Sequence, residues 1–409
     1  MPARTTFGTR QAFQPQPSQL AKPRVNTVEA APAEPAAPAD EAAAKSWPLF
    51  TFALCGVLFA IFAFELRRRV DPLPHASLSL RDCVALGGVG RYLVFQEKEW
   101  WRIFTAPFLH GNVAHILGNT VALIFAGFAL ERIVGRAWLA ALFVIGATAG
   151  SVGSLAYGNG VVSVGASGAI MCLVTVLFAL SHHYKAGARA GRMRRRAFIV
   201  VISALMPAAA PGAVQIDYGA HLGGFAAGIV LGFLLLILWP DDAPRPPFRS
   251  FAAGIAIAGV SIALYAAMLV AGDYPLYATR TAELIPSAEE QRDPEGLAKN
   301  AADLVARYPH DPLARLLRGT DLFDHEDYSD AEEEARAGLA EHEILATQFA
   351  PVIVPRLDML LAASLWGEGR HDEAKQVAAP LCTGAISDDY LAKGREIFRQ
   401  AGICGPAVQ

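Results

Sequence analysis

Ser163-Val164-Gly165-Ala166-Ser167-Gly168-Ala169-Ile170-Met171 opens an apolar run that closes near Leu180. A serine between glycines at the head of such a run has two readings. Small residues at this spacing let two membrane helices approach closely, which needs no chemistry. The second reading takes its weight from residues elsewhere in the chain. Gly219-Ala220-His221-Leu222-Gly223-Gly224 opens another long apolar run, and an earlier one carries His110, His115 and Asn119. Burying a polar group without a partner costs roughly 2–7 kcal/mol, so membrane segments seldom keep such groups without a use for them. Serine, histidine and further hydrogen-bond donors form the inventory of acyl transfer.

Composition points to lipid. Of 409 residues, 53% are hydrophobic and 18% charged, where a soluble domain carries about 25% charged. A net charge of −3 leaves no footprint for nucleic acid. Cys55, Cys83, Cys172, Cys382 and Cys404 show no zinc or redox spacing. Cys55 and Cys172 lie in apolar runs and are expected to pack. Cys382 and Cys404 fall late in a polar region and could form a disulfide if that region faces an oxidising compartment.

Residues 1–45, rich in Pro, Ala, Gln and Glu, have no periodicity and read as a disordered tail. No apolar core with a small-residue cleavage site marks a signal peptide near Met1. Runs long enough to cross a bilayer fall at 47–66, 103–130, 137–157, 161–181, 197–214, 218–239 and 251–271. The second exceeds one span, so its start is expected at the interface. Lysine and arginine in short loops set the orientation. Residues 185–196 hold six basic side chains and no acidic one, Arg132 and Arg136 follow the second run, and Arg245 and Arg249 precede the seventh. The loops near Gly158 and Gln215 hold none. This puts the N-terminal tail in the cytoplasm and everything after the seventh span outside, with Arg67-Arg68-Arg69 alone opposing it.

After Gly272 the composition becomes that of a soluble helical domain. Leu316-Leu317-Arg318-Gly319-Thr320-Asp321-Leu322 leads to Tyr328-Ser329-Asp330-Ala331, much as Leu360-Leu361-Ala362-Ala363-Ser364-Leu365-Trp366 leads to His371-Asp372-Glu373-Ala374. Each reads as a helix, a short turn and a second helix, similar to tetratricopeptide pairs. The spacing from Ala331 to Ala374 exceeds the usual period of 34 residues. Such arrays bind peptides or partner proteins; a helical cap without a ligand is the plainer alternative.

The even-numbered spans run in one direction, so residues near their N-terminal ends lie at similar depth below the outer face. Ser167 and His221 become level neighbours if spans four and six pack, as Gly168, Gly223, Gly224 and Gly228 would permit. His115 and Asn119, four apart, share one helix face, with His110 nearer the surface. A neutral histidine can take the serine proton near pH 7. Attack on an amide carbonyl then creates an oxyanion that Asn119, His115 and a backbone N–H near Ser167 could meet. Asp217, four residues before His221, could pair with it, but reads better as an interfacial, solvated residue, so the site reads as a dyad. Water would reach the site through a polar hollow open to the outer side.

These residues resemble the rhomboid family of intramembrane serine proteases. The resemblance rests on Trp101-Arg102, His110 with His115-Ile116-Leu117-Gly118-Asn119, Glu131-Arg132 with Gly135, Gly165-Ala166-Ser167-Gly168, and Ala220-His221 with Gly224 and Gly228. It covers 47–239, and 251–271 matches the extra span of some members. It implies Ser167 as nucleophile, His221 as general base, and His115 and Asn119 as oxyanion stabilisers. It puts Trp101-Arg102 in an interfacial loop and Glu131-Arg132 in a structural cytoplasmic loop. Met171 stands where members often place an aromatic residue under the histidine, and a thioether can pack on that ring.

The expected fold is all-α: a polytopic membrane helix bundle with a six-helix core over 46–240, a loop and seventh span over 241–272, and a tetratricopeptide-like helical domain over 273–409. The activity that the resemblance implies is cleavage of single-span membrane proteins near the outer face, through an acyl-enzyme and without metal or cofactor. Its partners would be those substrates, the lipid bilayer, and a peptide or protein on the C-terminal domain. The expected location is a cell membrane, a bacterial inner membrane, with the N-terminus cytoplasmic and the C-terminal domain extracytoplasmic by the loop charges. A catalytically silent scaffold of the same fold, recruiting clients through its helical repeats, is the alternative, although such relatives typically lose the serine or histidine. A transporter would need ionisable side chains along a through-going path, which the spans lack.

Overall fold

Helix α1, Leu49–Arg67, begins at Pro48 without a side-chain cap of its own. Its first N–H groups are met from another helix. Glu131 accepts from the N–H of Phe50 at 3.0 Å, the N–H of Thr51 at 2.8 Å and the Thr51 hydroxyl at 2.8 Å. Glu131 therefore lies in the last turn of α2, Val113–Val134, with Arg132 beside it, and not in a loop as expected. Asn112 caps the start of α2 by accepting from the His115 N–H at 2.9 Å, and Gly135, at φ 85°, ends it. The computed structural model describes residues 47–157, 162–182, 188–205, 216–240, 243–384 and 388–405. The tail read as disordered, residues 158–161 and 206–215 lie outside them.

The bundle continues with α3 (Arg136–Tyr157), α4 (Ser167–Leu180), α5 (Ala188–Leu205), α6 (Tyr218–Leu238) and α7 (Arg249–Ala282). Among the described residues, five of the seven, all but α4 and α5, are long and apolar enough to cross a membrane. Helix α4 is the centre, buried continuously from Gly168 to Leu177 and packed by α2, α3, α5 and α6. It has 14 residues and starts later than the expected 161, because the segment before it is extended. Ser163 pairs with Val89 in an isolated antiparallel bridge, and Gly165 takes φ +124°.

Helix α5 starts earlier than the expected 197. Arg192, Arg194, Arg195 and Arg196 stand inside it, not in a loop, in keeping with arginine's good helix propensity and its ability to reach an interface from a helix end. The seventh run also exceeds its expected bounds, since α7 continues past Gly272 to Ala282. Between α1 and α2 the chain folds through short helices at Leu80–Ala85, Arg91–Phe95 and Arg102–Thr105, so the polar start of the second run is not part of its span.

The C-terminal region is helical throughout its described residues. Pro312–Asp324 pairs with Tyr328–Ala340, and Ile353–Gly367 with His371–Thr383. The turns fall where the sequence puts them. Gly319 lets the first pair close, since a Cβ there would stand 3.3 Å from the Ala331 carbonyl oxygen, and lets it pack on the second, with a Leu360 methyl at 2.6 Å; Ala331 and Ala374 are fully buried. A short extra helix, His342–Gln348, separates the pairs and accounts for their wide spacing. Cys382 and Cys404 form a disulfide, with Cα atoms 5.5 Å apart, while Cys55 and Cys172 are free and buried.

Candidate active site

Ser167 is the first residue of α4, and no side chain caps that helix. His221 lies in the first turn of α6, where Asp217 is occupied as the cap and accepts from the Ala220 N–H at 2.9 Å. Both side chains thus project from helix starts at one end of the bundle. The adjoining residues meet: a Cβ on Gly168 would stand 3.2 Å from the Ala220 carbonyl oxygen and 2.8 Å from the Gly150 Cα. Below that crossing, a Cβ on Gly224 would come within 2.0 Å of the Gly168 oxygen, and one on Gly228 within 2.6 Å of the Thr175 Cβ and 2.8 Å of the Cys172 oxygen. Spans four and six therefore touch backbone to backbone beside Ser167 and His221. Gly150 and Gly153 of α3 complete this junction and carried no signal in the sequence beyond being small residues in an apolar run.

The second group converges on the same place. A Cβ on Gly165, two residues before Ser167, would meet the His115 Nε2 at 2.6 Å and the Asn119 Nδ2 at 3.5 Å. His115 is also within electrostatic reach of His221. Asn119 Nδ2 lies 3.1 Å from the His110 Nε2, and the His110 and His115 rings meet edge to face with centroids 5.2 Å apart. His110 is fully buried. Its backbone N–H is held by Glu65 Oε2 at 3.1 Å, a contact across 45 residues that sequence reasoning missed. Ser167 and His115 remain partly accessible. A narrow crevice beside them is lined by Val89, Ala106, Gly150, Ser163, Gly165 and Ala220.

The remaining expected residues are Met171, Trp101, Arg102, Glu131 and Arg132. Met171, one turn beyond Ser167, is buried in the bundle core. Trp101 stands edge-on to Trp100, centroids 6.1 Å apart. Arg102 is fully buried in the loop between α1 and α2, ion-paired with Glu99 and donating to the carbonyls of Val84 at 2.5 Å and Gly88 at 3.1 Å. Glu131 and Arg132 lie at the far end of α2, where Arg132 covers the Phe128 ring at 4.0 Å. Among the described residues no group of His, Cys, Asp or Glu side chains gathers as metal ligands.

Residues 97–238 match the family model described as the Rhomboid domain. The chain is similar to RHOMBOID-like protein 1 of Arabidopsis thaliana, 33% identical over 43% of this chain and 44% of that protein. It is also similar to the rhomboid protease GluP of Bacillus subtilis, 31% identical over 37% of this chain and 29% of that protein. With YdcA of the same bacterium it shares 30% identity over 46% of this chain and 89% of that protein. It thus spans less than half of the Arabidopsis relative and most of YdcA.

Proposed function

The chain belongs to the rhomboid family, an integral membrane protein by its apolar helices, and from that premise we propose that it is an intramembrane serine endopeptidase working by a Ser167–His221 dyad. The observation that carries this reading is the convergence at Gly165 and Gly168. One glycine is backed by His115 and Asn119, the other is locked against the helix that bears His221.

His221 takes the proton from the Ser167 hydroxyl as the oxygen attacks a peptide carbonyl carbon. The carbonyl oxygen becomes an oxyanion, met by His115, by Asn119 and by the uncapped backbone N–H at Ser167. Asn119 Nδ2 carries two hydrogens; one directed at His110 leaves the other for the oxyanion. His221 then returns its proton to the leaving amine, and the acyl group stays on Ser167 as an ester. Water enters along the crevice, loses a proton to His221 and attacks the ester, releasing the new carboxyl end and restoring the serine.

The substrates are single-span membrane proteins in the bilayer. An apolar groove between α2 and α5, lined by Leu117, Gly118, Val121, Ala122, Phe125 and Val200, offers a lateral way in for a helix. The Cys382–Cys404 disulfide supports an oxidising, extracytoplasmic position for the C-terminal domain, and hence a site near the outer face with the N-terminus in the cytoplasm, in a bacterial inner membrane. The paired C-terminal helices are read as a tetratricopeptide-like module for a peptide or protein partner.

In detergent or vesicles, wild-type protein is expected to cleave a model single-span substrate. Ser167→Ala and His221→Ala should each lose about 10⁴-fold or more in rate. Cleavage by Ser167→Ala at the wild-type rate rejects the reading.

A further inference from the structure

The tail of α7 beyond Gly272 has no counterpart in the residues 97–238 that match the family model. It nevertheless reaches the loop that leads to the site. Tyr277 is almost fully buried and donates its hydroxyl proton to Glu99 Oε1 at 2.9 Å. The other oxygen of that carboxylate pairs with Arg102, whose guanidinium lies 5.1 Å above the Tyr277 ring. A single aromatic side chain therefore holds both members of a buried ion pair.

From that pair the contacts run without a break to the serine. Arg102 fixes the carbonyls of Val84 and Gly88, and the Thr105 hydroxyl fixes that of Gly87 at 2.6 Å. Val89, which follows Gly88, exchanges two backbone hydrogen bonds with Ser163, at 3.0 and 2.7 Å. The Gly165 N–H then donates to the Ala106 carbonyl at 2.9 Å, two residues before Ser167. The loop and the strand-like segment 162–166 thus form one rigid piece.

The tail itself is anchored outside the membrane bundle. The Tyr274 hydroxyl donates to the Arg68 carbonyl at 2.8 Å. Arg81 donates to the Ile285 carbonyl at 2.6 Å and pairs with Asp71 at 3.5 Å, while Asp71 accepts the Ser287 N–H at 3.0 Å. The C-terminal domain is thereby tied to the same loop that the tail braces.

We propose that Tyr277 is a positioning residue for the peptidase reaction, acting through Glu99 and Arg102 on the loop that registers Ser167. The inference rests on the Ser167–His221 reading. It predicts an effect on the chemical step and not on substrate capture, because the groove between α2 and α5 lies away from this brace.

The test compares wild type, Tyr277→Phe, Thr279→Ala and Ser167→Ala, each as the full chain in detergent. Three quantities are measured: kcat and KM on a model single-span substrate, the rate of labelling by a fluorophosphonate, and Tm. Tyr277→Phe keeps the ring over Arg102 and removes only the hydroxyl. It should lower kcat and the labelling rate together by about fivefold, with KM unchanged. Thr279→Ala, on the same tail, should match wild type, since its hydroxyl only bonds back to its own helix. If Tyr277→Phe keeps wild-type kcat and labelling whatever its Tm, or changes KM alone, the brace has no part in the reaction while the reading of Ser167 stands. If wild type is neither labelled nor active, that reading fails and takes this inference with it.

Discussion

Gly165 is the residue on which the site turns. Its φ of +124° is one that side chains rarely adopt, and the space a Cβ would need is filled by the His115 imidazole. A methyl group there costs roughly 1–2 kcal/mol in backbone strain and pushes His115 out of place. Since removing one oxyanion donor lowers rate by about 10²–10³, Gly165→Ala is expected to cut substrate cleavage about a hundredfold. Circular dichroism of the same sample should show unchanged helix content. Much of this was legible in the sequence, because glycine, serine, histidine and asparagine are costly choices for a membrane segment and their positions ask for a common use. The burial of His110 was not legible. It depends on Glu65, which the sequence shows only as an acidic residue beside three arginines at the end of a span.

At the scale of elements, apolar length found the five helices long and apolar enough to cross a membrane, and small residues found the contact of α4 with α6. The helix bounds were less well read where polar residues are helical and apolar ones are not. Hydropathy could not tell that Arg194, Arg195 and Arg196 belong inside α5, nor that 162–166 is extended through its pairing with Val89. The α4–α6 contact is backbone on backbone, so it tolerates no side chain at Gly224. Gly224→Val should part the two helices, lowering Tm and cutting cleavage more than about tenfold, since a 1 Å misplacement alone can cost about a hundredfold. Glu131→Ala provides the contrast. It leaves three donors at the start of α1 without an acceptor, each worth about 1–3 kcal/mol when buried. Its Tm should fall while the fluorophosphonate labelling rate of the surviving folded protein stays at the wild-type value.

The whole molecule joins two helical bodies through a buried polar seam, and neither composition nor periodicity foretells that seam. Arg81 and Asp71 look like ordinary loop charges in sequence, yet they meet Ile285 and Ser287 more than 200 residues away. Within the C-terminal body, the Cys382–Cys404 link closes a loop of separation 22, worth about 3 kcal/mol in chain entropy. Maleimide applied to the native protein should therefore leave both cysteines unmodified until a reductant is added. Reduction should then expose the segment near Gly384 to proteolysis. Modification of both without reductant would remove the support for an oxidising compartment.

The account stands on Ser167 being an activated nucleophile beside His221. Its most direct test is to react the purified wild-type protein with a fluorophosphonate and locate the adduct by peptide mass spectrometry. The account predicts one adduct, on Ser167, absent from His221→Ala; an adduct on another serine, or equal labelling of His221→Ala, would contradict it.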